Sequence, residues 1–152
     1  MKNIIFIIIM GITLTSCSKQ DEAKSEIAEV TVTKLPASQA EFAPATVTLG
    51  GKLYTENCAK CHGTNGEGNK DWRKRKPDGK LLPPPLNGSG HTWHHPKALL
   101  VSIITNGTVV QGGEMPAWGD KLSPQEIDAV ILWAQSKWPA EIYKSWLEVT
   151  KR

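Results

Sequence analysis

Apolar residues recur along most of the chain at the spacing of a helix rather than that of a strand. The clearest stripe lies near the end of the chain and consists of Ile127, Val130, Ile131, Ala134 and Trp138. Residues three and four positions apart lie on one face of a helix, so this stripe predicts an amphipathic helix. Ser123 and Glu126 have the spacing of a capping box at its start. Pro139 ends it.

Two further stretches before this one also predict helices. Residues 50–61 read as a helix, with Leu53 and Tyr54 on its apolar side. Residues 96–105 carry apolar residues at the same period, and the Asn-Gly pair that follows is a stop signal.

The pattern elsewhere favours an all-α class with long loops. Residues 108–110 give only a brief strand signal. Residues 140–152 form an extension in which a short amphipathic helix is predicted up to about Thr150. We expect this helix to pack on its own domain, the alternative being a docking surface for another protein.

The N-terminus carries an export signal. An apolar run over residues 4–12 follows Met1 and Lys2; it has the length of a signal sequence core and is short for a membrane span. The run ends in Leu-Thr-Ser-Cys17, which resembles the bacterial lipobox, whose cysteine is diacylated. We therefore predict a lipoprotein signal peptide over residues 1–16 and lipidation at Cys17. The alternative is an ordinary signal peptide, or an uncleaved anchor, with Cys17 incidental.

This interpretation predicts where the protein works. The mature chain would lie on the periplasmic side, anchored by its lipid to the outer or the inner membrane. Residues 17–46 are rich in Lys, Glu, Ser, Thr, Ala and Pro and lack apolar periodicity, so they are predicted to be a flexible tether. The domain itself is predicted over residues 47–139. That length supplies little apolar core, which a buried prosthetic group would enlarge.

The candidate chemistry lies in a C-x-x-C-H motif formed by Cys58, Cys61 and His62. This spacing is the attachment signature of c-type haem. On a helix the three side chains share one face, so the two thiols can form thioethers with the haem vinyl groups while the imidazole binds the iron. Half of a zinc site, a redox-active dithiol and a structural disulfide are alternatives. The chain contains no second C-x-x-C pair to complete a zinc site.

The cysteine count agrees with this interpretation. The chain has three cysteines, and the predicted roles use one for lipid and two for haem. Gly50 and Tyr54 stand eight and four residues before Cys58, and a Pro-x-Leu-x-Gly element with Pro84 and Leu86 follows the motif. In these features residues 47–139 resemble class I (mono-haem, mitochondrial-type) cytochromes c. The resemblance implies a cytochrome c fold, with three to five helices around one covalently attached haem c.

The resemblance also implies a set of haem contacts. The Pro84 carbonyl would accept the second ring N–H of His62 and fix its tautomer. The sixth ligand would be Met115, which lies in a Met-Pro-x-aromatic context with Trp118 and is the only methionine outside the signal peptide. Leu86 and Trp118 are expected to contact the haem. An aromatic residue of the last family helix packs near the glycine of the first, a role that Trp133 fits.

His62 and Met115 together would make the site a one-electron carrier. With both axial positions filled, a substrate reaches the iron only by displacing a ligand, and the soft thioether favours Fe(II). We therefore predict a monomeric electron shuttle between exported or membrane redox proteins that is not itself an enzyme and does not bind nucleic acid. One alternative is a haem subunit that supports a dehydrogenase or peroxidase activity.

A basic segment, residues 70–80, departs from the compact family pattern. It holds six basic and two acidic residues, a local charge of +4 in a chain of net charge +3. One interpretation is a solvated excursion. The other is electrostatic steering toward an acidic redox partner or anionic head groups.

A histidine cluster is the second departure. His91, His94 and His95 surround Trp93 within five residues. We expect Trp93 and one histidine to pack at the haem edge or to hydrogen-bond a propionate. A surface loop, an alternative axial ligand, or a copper or zinc site in a metal-handling or sensing lipoprotein are the other interpretations.

Overall fold

The computed structural model describes residues 43–151. The predicted signal peptide, Cys17 and most of the predicted tether lie outside the described residues. The described part is all-α, as predicted, with five α-helices: α1 (Pro44–Asn57), α2 (Ala59–His62), α3 (Lys97–Asn106), α4 (Pro124–Gln135) and α5 (Ala140–Thr150). Two 3₁₀ turns, Thr92–His94 and Val109–Gln111, lie in the loops.

The structure differs from the predicted boundaries at several places. Helix α4 ends at Gln135 rather than just before Pro139, because the N–H groups of Lys137 and Trp138 bond three residues back in tighter turns. Helix α1 begins at Pro44, within the stretch predicted to be tether, because a proline is well tolerated in the first turn of a helix. The predicted strand signal at residues 108–110 is a 3₁₀ turn that continues to Gln111. It closes on itself through a hydrogen bond from the Gln111 N–H to the Thr108 carbonyl.

The core is the crossing of α1 and α4. A Cβ atom on Gly50 would overlap the Ala129 carbonyl, so glycine is what lets the two backbones approach. Next to this point the fully buried Tyr54 ring stacks on Trp133, with ring centroids 3.9 Å apart. Trp133 thus packs near the glycine of the first helix, as the resemblance implied. This crossing fixes the helix that leads into the C-x-x-C-H motif.

A second apolar cluster joins α5 to the rest of the domain. It consists of the buried residues Trp138, Tyr143 and Trp146, with Trp93 packed against it. The indole N–H of Trp146 donates to the His95 carbonyl at 2.9 Å, and that of Trp138 donates to the Leu86 carbonyl at 2.7 Å. The extension therefore packs on its own domain, as expected. Over residues 43–151 there is no helix long and apolar enough to cross a membrane.

Candidate functional site

The C-x-x-C-H residues lie where α1 ends and α2 begins. The break is small, because the Cys58 N–H still bonds to the Tyr54 carbonyl at 2.8 Å and the N–H groups of Cys61 and His62 both bond to the Cys58 carbonyl at 3.0 Å. One helical turn therefore carries all three side chains. They line one largely apolar cavity of about 550 Å³.

His62 is held in a single tautomer. Its Nδ1 lies 2.9 Å from the Pro84 carbonyl oxygen. A carbonyl can only accept, so Nδ1 must carry the proton, which leaves the Nε2 lone pair available to a metal. Burial lowers the pKa of His62, and the Pro84 carbonyl opposes this shift. The imidazole is therefore neutral near pH 7, the form that binds iron.

The Pro84 carbonyl is positioned by a close backbone approach. Gly68 has a φ of 62°, and a Cβ atom there would overlap the Pro84 and Pro85 backbone. The Gly68 N–H also donates to the His62 carbonyl at 2.7 Å. Glycine at this position thus lets one loop pass between the histidine turn and the proline segment.

The Cys58 thiol lacks the lowered pKa of a redox-active cysteine. Cys58 and Cys61 are not joined by a disulfide. Burial, and then the neighbouring Cys61 thiol, raises the pKa of Cys58 to about 11. Redox-active dithiols depend instead on a thiol with a lowered pKa. The described residues also contain no group of three or more His, Cys, Asp and Glu side chains that could hold a metal ion, so neither a zinc site nor a three-histidine site forms there.

Met115 lies in a loop, residues 107–116, which we call the Met115 loop. The Met115 N–H donates to the Thr108 hydroxyl at 3.1 Å, and the Thr108 N–H donates back to the Met115 carbonyl at 2.9 Å. The side chain is half-buried and lines the same cavity as His62. A Cβ atom on Gly107, where φ is 67°, would crowd the backbone around Pro116, so this glycine lets the loop close.

The cavity brings most of the predicted haem contacts together. The predicted residues that line it are Cys58, Cys61, His62, Pro84, Leu86, Met115 and Trp118. Trp93 is the exception, because its ring packs against the cluster formed by α5. Trp93 is thus not among the residues that line the cavity, and its contact with the haem edge stays a prediction.

The histidine cluster divides between the cavity and solvent. His91 and His95 line the cavity, while His94 is exposed. The His91 ring stacks on Trp72, with centroids 5.0 Å apart, and meets the His95 ring edge-on at 5.2 Å. The Nδ1 atom of His91 is buried and has no hydrogen-bond partner in the described part of the chain.

Sequence reasoning missed several residues of the site. Thr108, Trp138 and Arg75 all line the cavity. The Thr108 hydroxyl supports Met115 from seven residues away, and no local pattern indicates such a bond. The apolar stripe predicted for the last helix included Trp138, but α4 ends at Gln135, and Trp138 lies in the bend that follows and packs with Tyr143 and Trp146.

Four observations indicate that a covalent haem fits this arrangement. The cavity is large and mainly apolar, which suits a porphyrin face. Two thiols and one neutral imidazole open on it from a single helical turn. A thioether sulfur comes from the Met115 loop. The orphaned Nδ1 of His91 lies in the wall, where a haem carboxylate would satisfy it.

Comparison with known proteins identifies close likenesses over the same region. Residues 45–133 match the protein family described as cytochrome c oxidase, cbb3-type, subunit III. The cbb3-type cytochrome c oxidase subunit FixP of Azorhizobium caulinodans is 39% identical over 88 residues, which is 57% of this chain and 26% of the relative. The subunit CcoP of Azospirillum brasilense is 29% identical over 113 residues, 74% of this chain and 36% of the relative.

Another relative is covered over more of its own length. Cytochrome c6 of Bryopsis maxima is 31% identical over 83 residues, which is 55% of this chain and 82% of the relative. The matches to the FixP and CcoP proteins, by contrast, span only about a quarter to a third of their length. No solved structure matches the chain.

Proposed function

We propose that His62 and Met115 hold the haem iron of this chain. The premise is that the chain belongs to the c-type cytochrome family described as cytochrome c oxidase, cbb3-type, subunit III. As a member of this family, the chain binds a covalent haem c with iron and takes part in electron transfer. The finer proposal is that the chain is a one-electron shuttle between exported or membrane redox proteins.

The chain's residues have separate tasks in this account. When bound, the haem supplies a one-electron couple whose potential depends on its axial ligands and its burial. Cys58 and Cys61 fix the group by adding their S–H bonds across its two vinyl groups. His62 offers Nε2 to the iron, and the Pro84 carbonyl keeps the ring oriented and electron-rich by accepting from Nδ1. Met115 offers a soft sulfur, which favours the reduced state.

The same arrangement supports a carrier rather than an enzyme. Two protein ligands leave no position on the iron for a substrate, and the apolar walls limit water. The FixP and CcoP relatives are named as oxidase subunits. We infer that the electron acceptor of this chain is a membrane oxidase or a comparable complex. The lipid predicted at Cys17 would hold the carrier within reach of such a partner.

The basic segment contributes less to steering than its composition indicates. Lys74 pairs with Asp71 at 2.8 Å, and Lys76 and Lys80 lie within 4 Å of Asp78 and Glu114. Paired charges still add to the long-range field. We therefore expect electrostatic steering to contribute modestly to association with an acidic partner, and salt should weaken this contribution.

The single observation that carries the proposal is that His62 and Met115 open on the same cavity as the two motif thiols. The test is the visible spectrum of the purified protein, oxidised and reduced, beside a Met115→Ala variant. The wild type should be low-spin and should show the weak sulfur-to-iron charge-transfer band in the oxidised state. Met115→Ala should lose that band, while Gln111→Ala, a change at a neighbouring cavity-lining residue, should keep it.

Other spectra would contradict the proposal in distinct ways. A wild type without the band, or a Met115→Ala variant that keeps it, removes Met115 from the iron. A low-spin spectrum without sulfur points to a histidine ligand instead. High-spin iron would favour a haem subunit that binds a substrate or oxygen.

A further inference from the structure

Residues 75–81 form a small hairpin within the basic segment. Arg75 and Leu81 face each other in an isolated antiparallel bridge, and both line the cavity. The Lys76 N–H donates to the Lys80 carbonyl at 2.8 Å, and the Gly79 N–H donates to the Lys76 carbonyl at 2.9 Å, which closes the turn. The hairpin thus contributes Arg75 and Leu81 to the cavity wall, while most of its residues are exposed.

The tip of the hairpin is tied to the Met115 loop. The Lys76 ammonium lies 2.6 Å from each oxygen of the Glu114 carboxylate, and the Lys80 ammonium lies 3.7 Å from one of them. Glu114 is separated from these lysines by more than 30 residues but directly precedes Met115. One carboxylate beside the candidate ligand is therefore held by two cations of the hairpin.

The hairpin's own bonds aim these two lysines at Glu114. Asp78 lies 3.8 Å from both ammonium groups, and its side chain also accepts from the Lys80 N–H at 3.1 Å. Arg75 is engaged elsewhere, because its guanidinium donates to the Gly79 carbonyl at 2.6 Å. The hydrogen bond to Glu114 raises the pKa of Lys76, which therefore stays charged.

The segment after Met115 is hydrogen-bonded to α3, whereas the middle of the Met115 loop is exposed. After Met115, the Trp118 N–H donates to the Ile104 carbonyl of α3 at 3.0 Å. Before it, residues 109–112 are exposed, and Val110 is 88% accessible. Glu114 is thus the residue that connects the exposed part of the loop to a second element, the hairpin.

We propose that the hairpin is a strap that keeps the Met115 loop closed, and that Lys76 and Glu114 are positioning residues that set how readily Met115 leaves the iron. This inference rests on the proposed function, in which Met115 is a ligand. Release of Met115 requires the loop to move, and that motion separates Glu114 from Lys76. The ion pair therefore opposes ligand loss without contacting the iron.

The size of the effect follows from the exposure of the pair. The side chains of Lys76 and Glu114 are 29% and 42% accessible. Exposed ion pairs shift equilibria by only about two- to fivefold, and salt screens them. We expect the strap to contribute a factor in this range at low ionic strength and less at high ionic strength.

The experiment measures imidazole binding to the oxidised full chain, because imidazole can bind iron only after Met115 leaves. Glu114→Gln and Lys76→Gln should each bind imidazole about two- to fivefold more tightly than the wild type. Lys76→Arg, which keeps the positive charge opposite Glu114, should bind imidazole like the wild type. Lys97→Gln is the matched control, since Lys97 and Asp128 form an ion pair 3.0 Å apart with similar exposure but outside the Met115 loop.

The outcomes separate the strap from the proposed function. A wild type that lacks the sulfur-to-iron band overturns the ligand assignment and the strap with it. If the band is present but Glu114→Gln binds imidazole no more tightly than Lys97→Gln, the strap alone is wrong. An affinity gain in Glu114→Gln that persists unchanged at high salt would also contradict it, because the wild type should approach the variant as the ion pair is screened.

Discussion

The two candidate iron ligands are held in physically different ways. His62 follows a helix whose Tyr54 is fully buried in the α1–α4 crossing, and the Tyr54 hydroxyl donates to the Gly63 carbonyl at 2.7 Å, directly after His62. Met115 lies in an exposed loop, where hydrogen bonds with Thr108 and an ion pair of Glu114 position it.

This difference implies unequal stability of the two ligands. Moving His62 requires disruption of the apolar core, which approaches global unfolding. Moving Met115 requires only a few polar contacts near solvent to break, and such segments open at low free energy. We therefore predict that Met115 is the labile ligand and His62 the permanent one. The following changes test each half of the comparison.

The largest effect on the free energy of unfolding should come from adding a methyl group at the α1–α4 crossing. Gly50→Ala sets a methyl group against the Ala129 carbonyl, which cannot move without shifting α4. We expect a loss of about 3 kcal/mol in the free energy of unfolding, measured by denaturant titration. Gly51→Ala is the comparison, because its Cβ would lie 2.9 Å from the Trp133 ring, a side chain that can shift, rather than against backbone. It should cost about 1 kcal/mol or less, since alanine favours a helix. Equal losses would contradict the proposed crossing.

A smaller effect should follow from displacing the Pro84 carbonyl. A methyl group in Gly68→Ala would push this carbonyl away from Nδ1 of His62. An imidazole without that bond donates less electron density, so the oxidised iron is less stabilised and the reduction potential should rise. If this bond is stronger by about 1 kcal/mol in the oxidised state, its loss corresponds to roughly 40 mV for one electron, and this is an upper limit because the bond is present in both states.

The control for this change is Gly79→Ala. Gly79 has a similar positive φ, 81°, but a Cβ atom there meets nothing within 4 Å. This variant carries the same kind of backbone strain and should leave the potential unchanged. If both variants shift the potential alike, strain rather than the His62 hydrogen bond is the cause.

Substitutions of Thr108 test how firmly the Met115 loop is held closed. Thr108→Val removes the hydroxyl that accepts from the Met115 N–H, at a cost of about 1 kcal/mol for closing the loop. Imidazole should then bind the oxidised iron about fivefold more tightly, while global unfolding changes little. Thr108→Ser keeps the hydroxyl and should behave like the wild type. A large global destabilisation by Thr108→Val would show that the loop is part of the core after all.

The smallest effect concerns the start of α4. Glu126 and Ser123 form a capping box, and hydrogen bonds from the Ser123 N–H and hydroxyl lower the pKa of Glu126 below its usual value of 4.5. A lowered pKa adds stability above pH 4.5 that is lost as the pH falls through the folded-state pKa. Glu126→Gln should therefore have a thermal midpoint that depends less on pH below 4.5. A slope equal to that of the wild type would contradict this.

The sequence was most informative where function depends on local spacing. The C-x-x-C-H turn, the capping box and the stripe of α4 are each set by residues within a few positions, and the structure shows the corresponding helices. The contact between Pro84 and His62 came only from the family resemblance, because 22 residues separate the two.

The sequence was least informative where charges and aromatic rings pair across loops. Residues 70–80 indicated either a solvated excursion or a steering surface, but not that Lys76 and Lys80 pair with Glu114, more than 30 residues away. Trp93 lies two residues from each of the cavity-lining histidines His91 and His95, yet its own ring packs against the cluster of Trp138, Tyr143 and Trp146. Neither outcome follows from periodicity, since loop residues have no fixed face.

The most direct test of the account is the NMR spectrum of the reduced protein with ¹³C-methyl-labelled methionine. A methionine bound to haem iron lies against the porphyrin face, so its methyl resonance is shifted far upfield by the ring current. The account predicts one such resonance that is absent from Met115→Leu. A Met115 methyl resonance at its ordinary position in the reduced, haem-loaded protein would show that Met115 is not a ligand, and the proposal of a His62- and Met115-ligated electron carrier would be wrong.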